Sequence, residues 1–498
     1  MNVNPITRLD YPDLDVIRVE DTYYMVSTTM HFMPGCEILQ SFDLVHWEHA
    51  TYVYETLDHT DAQQLKSGQN IYGQGMWAAS LRYHEGRFYI CFVANDTRKT
   101  YLYTSEKIDG PWKKQLIEGF YHDGSLLFDE DGRNYIVYGN DEIWITELNE
   151  DLTAPKKDGL HRLLVSDHKN PELGYEGSHI QKINGYYYIF LIHSLRHSWM
   201  RTEACFYSDS LEGEFTGGDV LCDDRGYCGQ GVAQGGIVDT PDGKWYAMLF
   251  QDSGAVGRIP ILLPVTWKDH FPFFGQNGHV PEEIEVHSTR PGYIYQPLVG
   301  SDDFCNGLLP RWQFNHDPDP RYYHLDALQG TYTITTREVC TELTQAVNTL
   351  TQRMSYPSCA AEVTVDASAL KEGDVAGLCA LQGCYAAVGI TKHHGKYEVL
   401  MLDKKEDGIL DMTEGTVVES HQMDFRLEAD FCNMKDEARC YYRVNKGDWL
   451  PIGTVHKLYF KLDHFTGCRF GLFCYAAEET GGSACFRDFK YYDVDEIS

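Results

Sequence analysis

Ile180-Gln-Lys-Ile-Asn-Gly-Tyr-Tyr-Tyr-Ile189 reads as two short strands joined by an Asn-Gly turn, a dipeptide suited to the positive φ angles of a tight hairpin. The phrase occurs four more times, as Val16-Ile-Arg-Val-Glu-Asp-Thr-Tyr-Tyr-Met25, Leu81-Arg-Tyr-His-Glu-Gly-Arg-Phe-Tyr-Ile90, Leu126-Leu-Phe-Asp-Glu-Asp-Gly-Arg-Asn-Tyr-Ile136 and Ile237-Val-Asp-Thr-Pro-Asp-Gly-Lys-Trp-Tyr-Ala247. A second phrase follows several of these hairpins: Ser41-Phe-Asp-Leu-Val-His-Trp47, Ser105-Glu-Lys-Ile-Asp-Gly-Pro-Trp112 and Ser208-Asp-Ser-Leu-Glu-Gly-Glu-Phe215. It reads as the end of a third strand, a turn, and an aromatic residue that opens a fourth. Four strands per unit at a period of roughly 45–65 residues is propeller-blade spacing, and five copies predict a five-bladed β-propeller. The Gly-His and Trp-Asp signature of WD40 blades is absent.

The repeat stops near residue 295, and Arg290-Pro-Gly-Tyr-Ile-Tyr-Gln-Pro297 reads as a linker. Beyond it, alternating runs such as Thr331-Tyr-Thr-Ile-Thr335 and Tyr397-Glu-Val-Leu-Met401 are separated by short polar turns. Helical periodicity is scarce, so the second half predicts a β-sandwich. The fold class is therefore all-β, with a propeller over 1–295 and a sandwich over 301–498.

Composition narrows the function classes. The 498 residues include 74 acidic and 42 basic side chains, a formal net charge of -32. Such a surface repels phosphate backbones and anionic membranes, which argues against nucleic-acid and membrane partners and suits a neutral substrate. Aromatics make up 13% of the chain; flat rings pack well on pleated sheets and also stack on sugar rings. The start lacks a basic stretch followed by an apolar run, and the 15 cysteines are scattered. Reduced thiols and a cytoplasmic location are the expectation.

The chemistry lies just ahead of each hairpin. Asp13 stands three residues before Val16, Trp77 four before Leu81, Asp123 three before Leu126, Glu176 four before Ile180, and Gln234 three before Ile237. If these are the innermost strands, their starts ring one mouth of the central channel, where propeller function sits on strand-end loops. The ring would hold three carboxylates, an indole and an amide. Three carboxylates suit glycoside hydrolysis: a protonated one donates to the leaving oxygen, an ionised one activates water or attacks the anomeric carbon, and a third tunes the acid. Trp77 would stack on the sugar and Gln234 would bond its hydroxyls. His31, His46, His122 and His179 read as structural.

These motifs resemble glycoside hydrolase family 43. Pro12-Asp13-Leu14-Asp15 is similar to the family's opening motif and implies Asp13 as general base, with Asp15 second. Tyr121-His122-Asp123-Gly124-Ser125-Leu126 resembles the motif whose Asp tunes the acid, here Asp123, with His and Gly as unusual flanks. Tyr175-Glu176-Gly177-Ser178 resembles the motif of the general acid, here Glu176. The resemblance further implies a sugar-lining Trp77, apolar lining from Met30 and Phe32, and an arginine, Arg258, that contacts substrate hydroxyls near the acid. It implies no required cofactor, and allows a calcium ion beside a central histidine that Gln234 replaces.

By the same resemblance the enzyme inverts the anomeric centre, and its concanavalin-like sandwich closes one side of the pocket. The expected substrates are short xylo- or arabinoxylo-oligosaccharides, cleaved from non-reducing ends to release xylose, with arabinofuranosidase side activity and possible homo-oligomers. α-L-Arabinofuranosidase as the main activity and a non-catalytic sugar-binding propeller remain as alternatives.

Overall fold

The computed structural model describes residues 3–493; Met1, Asn2 and residues 494–498, at the outer ends of the two expected domains, lie outside the described residues. The propeller and the sandwich are both present. Five four-stranded antiparallel sheets follow one another along the chain, each opened by an inner strand: Asp15–Val19, Met76–His84, Ser125–Phe128, Glu176–Ile183 and Val232–Asp239. Within a blade the strands lie side by side in chain order. The turns explain the register. His84 pairs with Arg87 and Ile183 with Tyr186, leaving Glu85-Gly86 and Asn184-Gly185 as two-residue loops with positive φ at both positions, the twist that suits a hairpin. The aromatic of the second phrase sits immediately before each fourth strand: Trp47 before Glu48–Tyr54, Trp112 before Lys113–Ile117, Phe215 before Thr216–Leu221.

Alternation along the strands produces the packing. One face of each blade meets the next, so apolar clusters lie between neighbours. Leu127, Val137 and Ile145 of blade three pack with Ile180, Ile189 and Leu191 of blade four. Blades five and one close the ring through Tyr23, Met25, Met248 and Leu262. Truncating such a side chain to alanine costs about 2–5 kcal/mol. The N-terminal segment reinforces this closure by running beside blade five, with Ile6 N–H donating to Pro260 O at 3.1 Å and Tyr11 N–H to Arg258 O at 2.9 Å.

The C-terminal half packs a nine-stranded sheet on a seven-stranded one, and the two predicted strands fall in Thr331–Thr335 and Lys396–Lys404. The nine-stranded sheet also takes in a piece of blade one: Phe32–Met33 pairs with Gln313–Asn315. Charge adds to the join, since Arg353 of the sandwich reaches Glu37 of blade one at 2.7 Å, both side chains being buried. The linker is pinned as well, with Arg290 on Asp21 at 2.7 Å and stacked 4.0 Å over Phe42. The 15 cysteines are all free thiols, ten of them buried. Among the described residues, no helix is long and apolar enough to cross a membrane.

Candidate active site

The inner strands begin in distorted backbone, and this aims their first side chains at the axis. Asp13 (φ 52°), Asp123 (φ 48°) and Gln234 (φ 57°) are non-glycine residues in the left-handed region, a strain that persists where surrounding structure enforces it and that clusters at functional sites. Blades two, four and five carry register shifts at Met76/Ala79, Glu176/His179 and Ala233/Gly235, bulges that re-aim a side chain at the start of a strand. Gly177 makes the last of these fits possible: it has φ 65°, and a Cβ there would lie 2.7 Å from the Gln234 side chain.

Asp13 is buried and held at both oxygens. Arg258 Nη1 donates to Oδ1 at 2.5 Å and Thr28 Oγ1 donates to Oδ2 at 2.6 Å. Arg258 also reaches Asp252 with Nε at 3.1 Å, and Arg201 reaches the same carboxylate at 2.9 Å. Two buried arginines thus share one buried carboxylate and lend their remaining charge to the site. Arg258, expected to contact substrate hydroxyls near the acid, is bonded to Asp13, and its charge also acts on Glu176.

Asp123 and Glu176 form the other half. Gly177 N–H donates to Asp123 Oδ2 at 3.0 Å, and Asn140 Nδ2 donates to Glu176 Oε2 at 2.7 Å. Between the two carboxylates lies His122, whose Nε2 is 3.6 Å from Asp123 Oδ2 and 3.7 Å from Glu176 Oε2. The proton balance differs from the simple expectation that Asp123 keeps Glu176 protonated. Burial pushes the Asp123 carboxyl up to about 6, against the pull of His122 and with help from the charges of Glu176 and Asp13. Burial also acts on Glu176, but His122, then Arg201 and Arg258, outweigh it and hold its carboxyl below the ordinary value. His122 is raised to about 9, chiefly by Asp123 and against its own burial. At neutral pH the trio therefore keeps a proton on the imidazole, with the three titrations linked.

The remaining expected residues divide. Trp77 lies at this mouth, its ring 6.2 Å from His122 and 5.2 Å from Phe465. Gln234 is buried beside Gly177, its N–H donating to Glu203 at 2.7 Å. Met30 is fully buried at the seam, hydrogen-bonded through its backbone to Met76 and approached by Thr466 of the sandwich at 3.4 Å. Phe32 belongs to the strand that joins the sandwich and lies 3.4 Å beneath the Arg469 guanidinium. It packs the domain junction, which corrects the expectation that it lines the sugar pocket. Asp15 cannot serve as a base: its oxygens accept from Val16 N–H, Leu81 N–H, Arg82 and His179. Burial pushes Asp15 up, yet Arg82 and His179 overcome it and hold the carboxyl at about 2.

Several site residues escape the sequence reading. His122 is one. Thr28, Asn140 and Asp252 stand at or just past the ends of second strands, and Arg201 opens a third strand, as the expected Arg258 does, so the phase that marks the inner strands marks these too. Phe465 carries no such signal. It comes from the sandwich, is buried, and stacks 3.8 Å from the Arg258 guanidinium while touching Trp77 edge-on. Asp10 clamps its loop, accepting from Gly467 N–H and Arg258 N–H, each at 2.7 Å. The sandwich therefore does reach the pocket.

The opposite mouth of the channel opens into a cavity of about 470 Å³ lined by Arg18, His84, Phe128, Lys182 and Trp245. Arg18 is bound to Asp239 and Lys182 to Asp129, and none of the acid–base candidates lies there. Calcium does not fit the donors present. It takes six to eight oxygens, whereas Asp15 in the channel is saturated. Among the described residues, the set able to converge on an ion within 4.8 Å is His122, Asp123 and Glu176, an imidazole with two carboxylates.

The geometry agrees with comparison to known proteins. Residues 3–272 match the family model for glycosyl hydrolases family 43, and residues 301–492 that for the beta xylosidase C-terminal concanavalin A-like domain. The chain belongs to glycoside hydrolase family 43. This family 43 hydrolase is 26% identical to a beta-xylosidase of Formosa agariphila, over 99% of this chain and 89% of that protein. It is 25% identical to a non-reducing end alpha-L-arabinofuranosidase of Bacteroides ovatus, over 66% of this chain and 63% of that one. Among solved structures, a bifunctional GH43-CE protein of Bacteroides eggerthii superposes with a TM-score of 0.92 at 42% identity. That likeness covers 99% of this chain, which spans 64% of the longer protein.

Proposed function

We propose that this glycoside hydrolase is an exo-acting, inverting β-xylosidase that releases xylose from the non-reducing ends of short xylo- and arabinoxylo-oligosaccharides, with arabinofuranosidase side activity. The observation that carries the reading is the division of the mouth into two differently supported carboxyl systems, Asp13 on Arg258 and Thr28, and Glu176 with Asp123 and His122. Asp13, fixed at both oxygens, is suited to take a proton from an attacking water. Glu176, oriented by Asn140, is suited to protonate the departing oxygen from the other side of the sugar. Asp123 positions Glu176 through the Gly177 amide and shares its proton load. Trp77 and Phe465 form an aromatic wall that excludes water and faces the sugar ring; excluding water strengthens the charge interactions within. A wall contributed by the second domain favours removal of terminal sugars over cleavage within a chain.

The reaction needs no metal in this reading, because protons held by the chain supply the catalysis. A cytoplasmic setting, with imported oligosaccharides as substrates and a homo-oligomeric state, completes the proposal. The arabinofuranosidase relative favours keeping the second substrate in view. Turnover of 4-nitrophenyl β-D-xylopyranoside against 4-nitrophenyl α-L-arabinofuranoside tests the assignment: a clear xyloside preference is expected, and an arabinoside preference would reassign the substrate while keeping the site.

A further inference from the structure

The carboxylates at the mouth are unevenly neutralised. Asp13 is paired with Arg258 and Asp252 with Arg201, all four side chains being buried. Among the described residues no arginine or lysine pairs with Asp123 or Glu176. Their polar contacts are the Gly177 amide, Asn140 and His122.

We propose that His122, Asp123 and Glu176 form an inhibitory binding site for a transition-metal dication of the zinc type. One donor atom from each residue lies within 4.8 Å of the other two. His122 Nε2 stands 3.6 Å from Asp123 Oδ2 and 3.7 Å from Glu176 Oε2. Ligands ~2.0–2.2 Å from a tetrahedral zinc ion stand roughly 3.3–3.6 Å from one another, so side-chain shifts of about 1 Å or less close the set on an ion. Nε2 is buried and has no hydrogen-bond partner, which leaves its lone pair uncommitted once the ring is neutral. Asn140 donates to Glu176 Oε2 and the Gly177 amide to Asp123 Oδ2, in the manner of the outer partners that orient metal ligands. The side chains of His122 and Glu176 are each 22% exposed. Solvent therefore gives the ion an entry path and supplies water for a fourth position.

The donors select the ion. One imidazole with two carboxylates suits zinc or nickel, whereas magnesium and calcium call for six or more oxygens. The charge matches as well, since a dication neutralises the two carboxylates that lack a fixed partner. Binding displaces the proton of His122 to solvent. That proton is held up to about 9 chiefly by Asp123, with Glu176 and Asp13 adding to it, so affinity rises with pH. Arg201 and Arg258, whose charges act on Glu176, oppose the ion. Coordination at Glu176 Oε2 takes that oxygen out of proton transfer, so the ion and the substrate exclude each other. The binding stands on the geometry; the inhibition rests on Glu176 being the acid.

The test titrates metal-free protein with zinc chloride by calorimetry, in wild type and His122→Gln, and compares zinc, nickel, magnesium and calcium as inhibitors of xylobiose turnover. The expected result is zinc that xylose displaces, and inhibition that raises KM, leaves kcat unchanged and is reversed by EDTA. Magnesium and calcium should not inhibit. Loss of an outer partner already costs about 10–100-fold in metal affinity, so loss of the His122 ligand should weaken both constants at least about tenfold. Zinc also binds thiols, and Cys222, Cys228, Cys305 and Cys432 are exposed. Zinc held there would ignore both xylose and His122→Gln, and that pattern would overturn the proposal, as would no zinc binding at all. If His122→Gln does not fold, wild type alone decides: displacement by xylose with zinc favoured over magnesium supports the site, and zinc indifferent to xylose overturns it. The two readings also separate. Zinc that His122→Gln weakens but that leaves xylobiose turnover unchanged at saturation defeats the acid assignment, whereas an inactive Glu176→Gln in a protein that binds no zinc defeats only the metal site.

Discussion

Replacing Phe465 by leucine keeps an apolar side chain of similar bulk at the domain seam while removing the ring. Two specific contacts go with it: the 3.8 Å stack on Arg258 and the 5.2 Å edge contact with Trp77. A desolvated cation–π contact is worth about 2 kcal/mol, and an edge-to-face ring pair about 0.5–1.5 kcal/mol beyond area burial. The expected loss of stability is therefore about 2–3 kcal/mol. The functional loss follows from the next link. Arg258 carries Asp13 on Nη1, so freedom at the guanidinium loosens the base, and a loss of about 1.4–2.8 kcal/mol in transition-state stabilisation lowers kcat/KM by roughly 10- to 100-fold. Denaturant unfolding and steady-state kinetics on an aryl xyloside measure the two quantities. A variant within 0.5 kcal/mol and twofold of wild type (~ the scatter of surface substitutions) would refute the claim that the sandwich completes the site through this ring.

Glu176→Gln should reduce turnover of xylobiose by about 10²–10⁴-fold and that of an activated nitrophenyl glycoside by less, which a leaving-group series at fixed pH will show. Asp123→Asn should be inactive on xylobiose yet more stable at pH 7. The folded carboxyl is raised from 3.8 to about 6, so the folded state binds its proton more tightly and wild-type stability falls as pH rises from about 4 through about 6. The amide removes that penalty and, in part against it, the charge that raises His122, to be read as a modest gain in Tm at pH 7 that vanishes near pH 4. Activity in excess EDTA should equal that in added calcium, since the calcium donors are wanting; loss of rate on chelation, restored by calcium, would contradict this.

The five blades were legible because the hairpin phrase repeats with its turn chemistry intact, as in Asn184-Gly185, and because a propeller places every repeat in the same phase. That phase also brings Asp13, Trp77, Asp123, Glu176 and Gln234 to one mouth from the repeat alone. Arg258 was legible as a residue, but its partner was not: the separation of 245 positions between it and Asp13 is spanned by ring closure, which no local pattern encodes. Phe32 misled for a related reason. A short apolar strand beside the pocket looks the same whether it faces sugar or a second domain, and only the pairing with Gln313–Asn315 decides. His122 was passed over because a lone histidine in a turn has no distinguishing period; its meaning comes from a carboxylate 54 positions away in the chain, brought within 3.7 Å by neighbouring blades. Phe465 lies in an irregular loop of the sandwich, outside the repeat altogether.

The most direct test of the central claim, that Asp13 activates water opposite an acid at Glu176, is the configuration of the first product. Proton NMR of xylobiose hydrolysis, recorded before mutarotation, should show α-xylose from the cleaved β-xyloside. Initial β-xylose would mean a covalent intermediate and a nucleophile in place of the base, and would contradict the account.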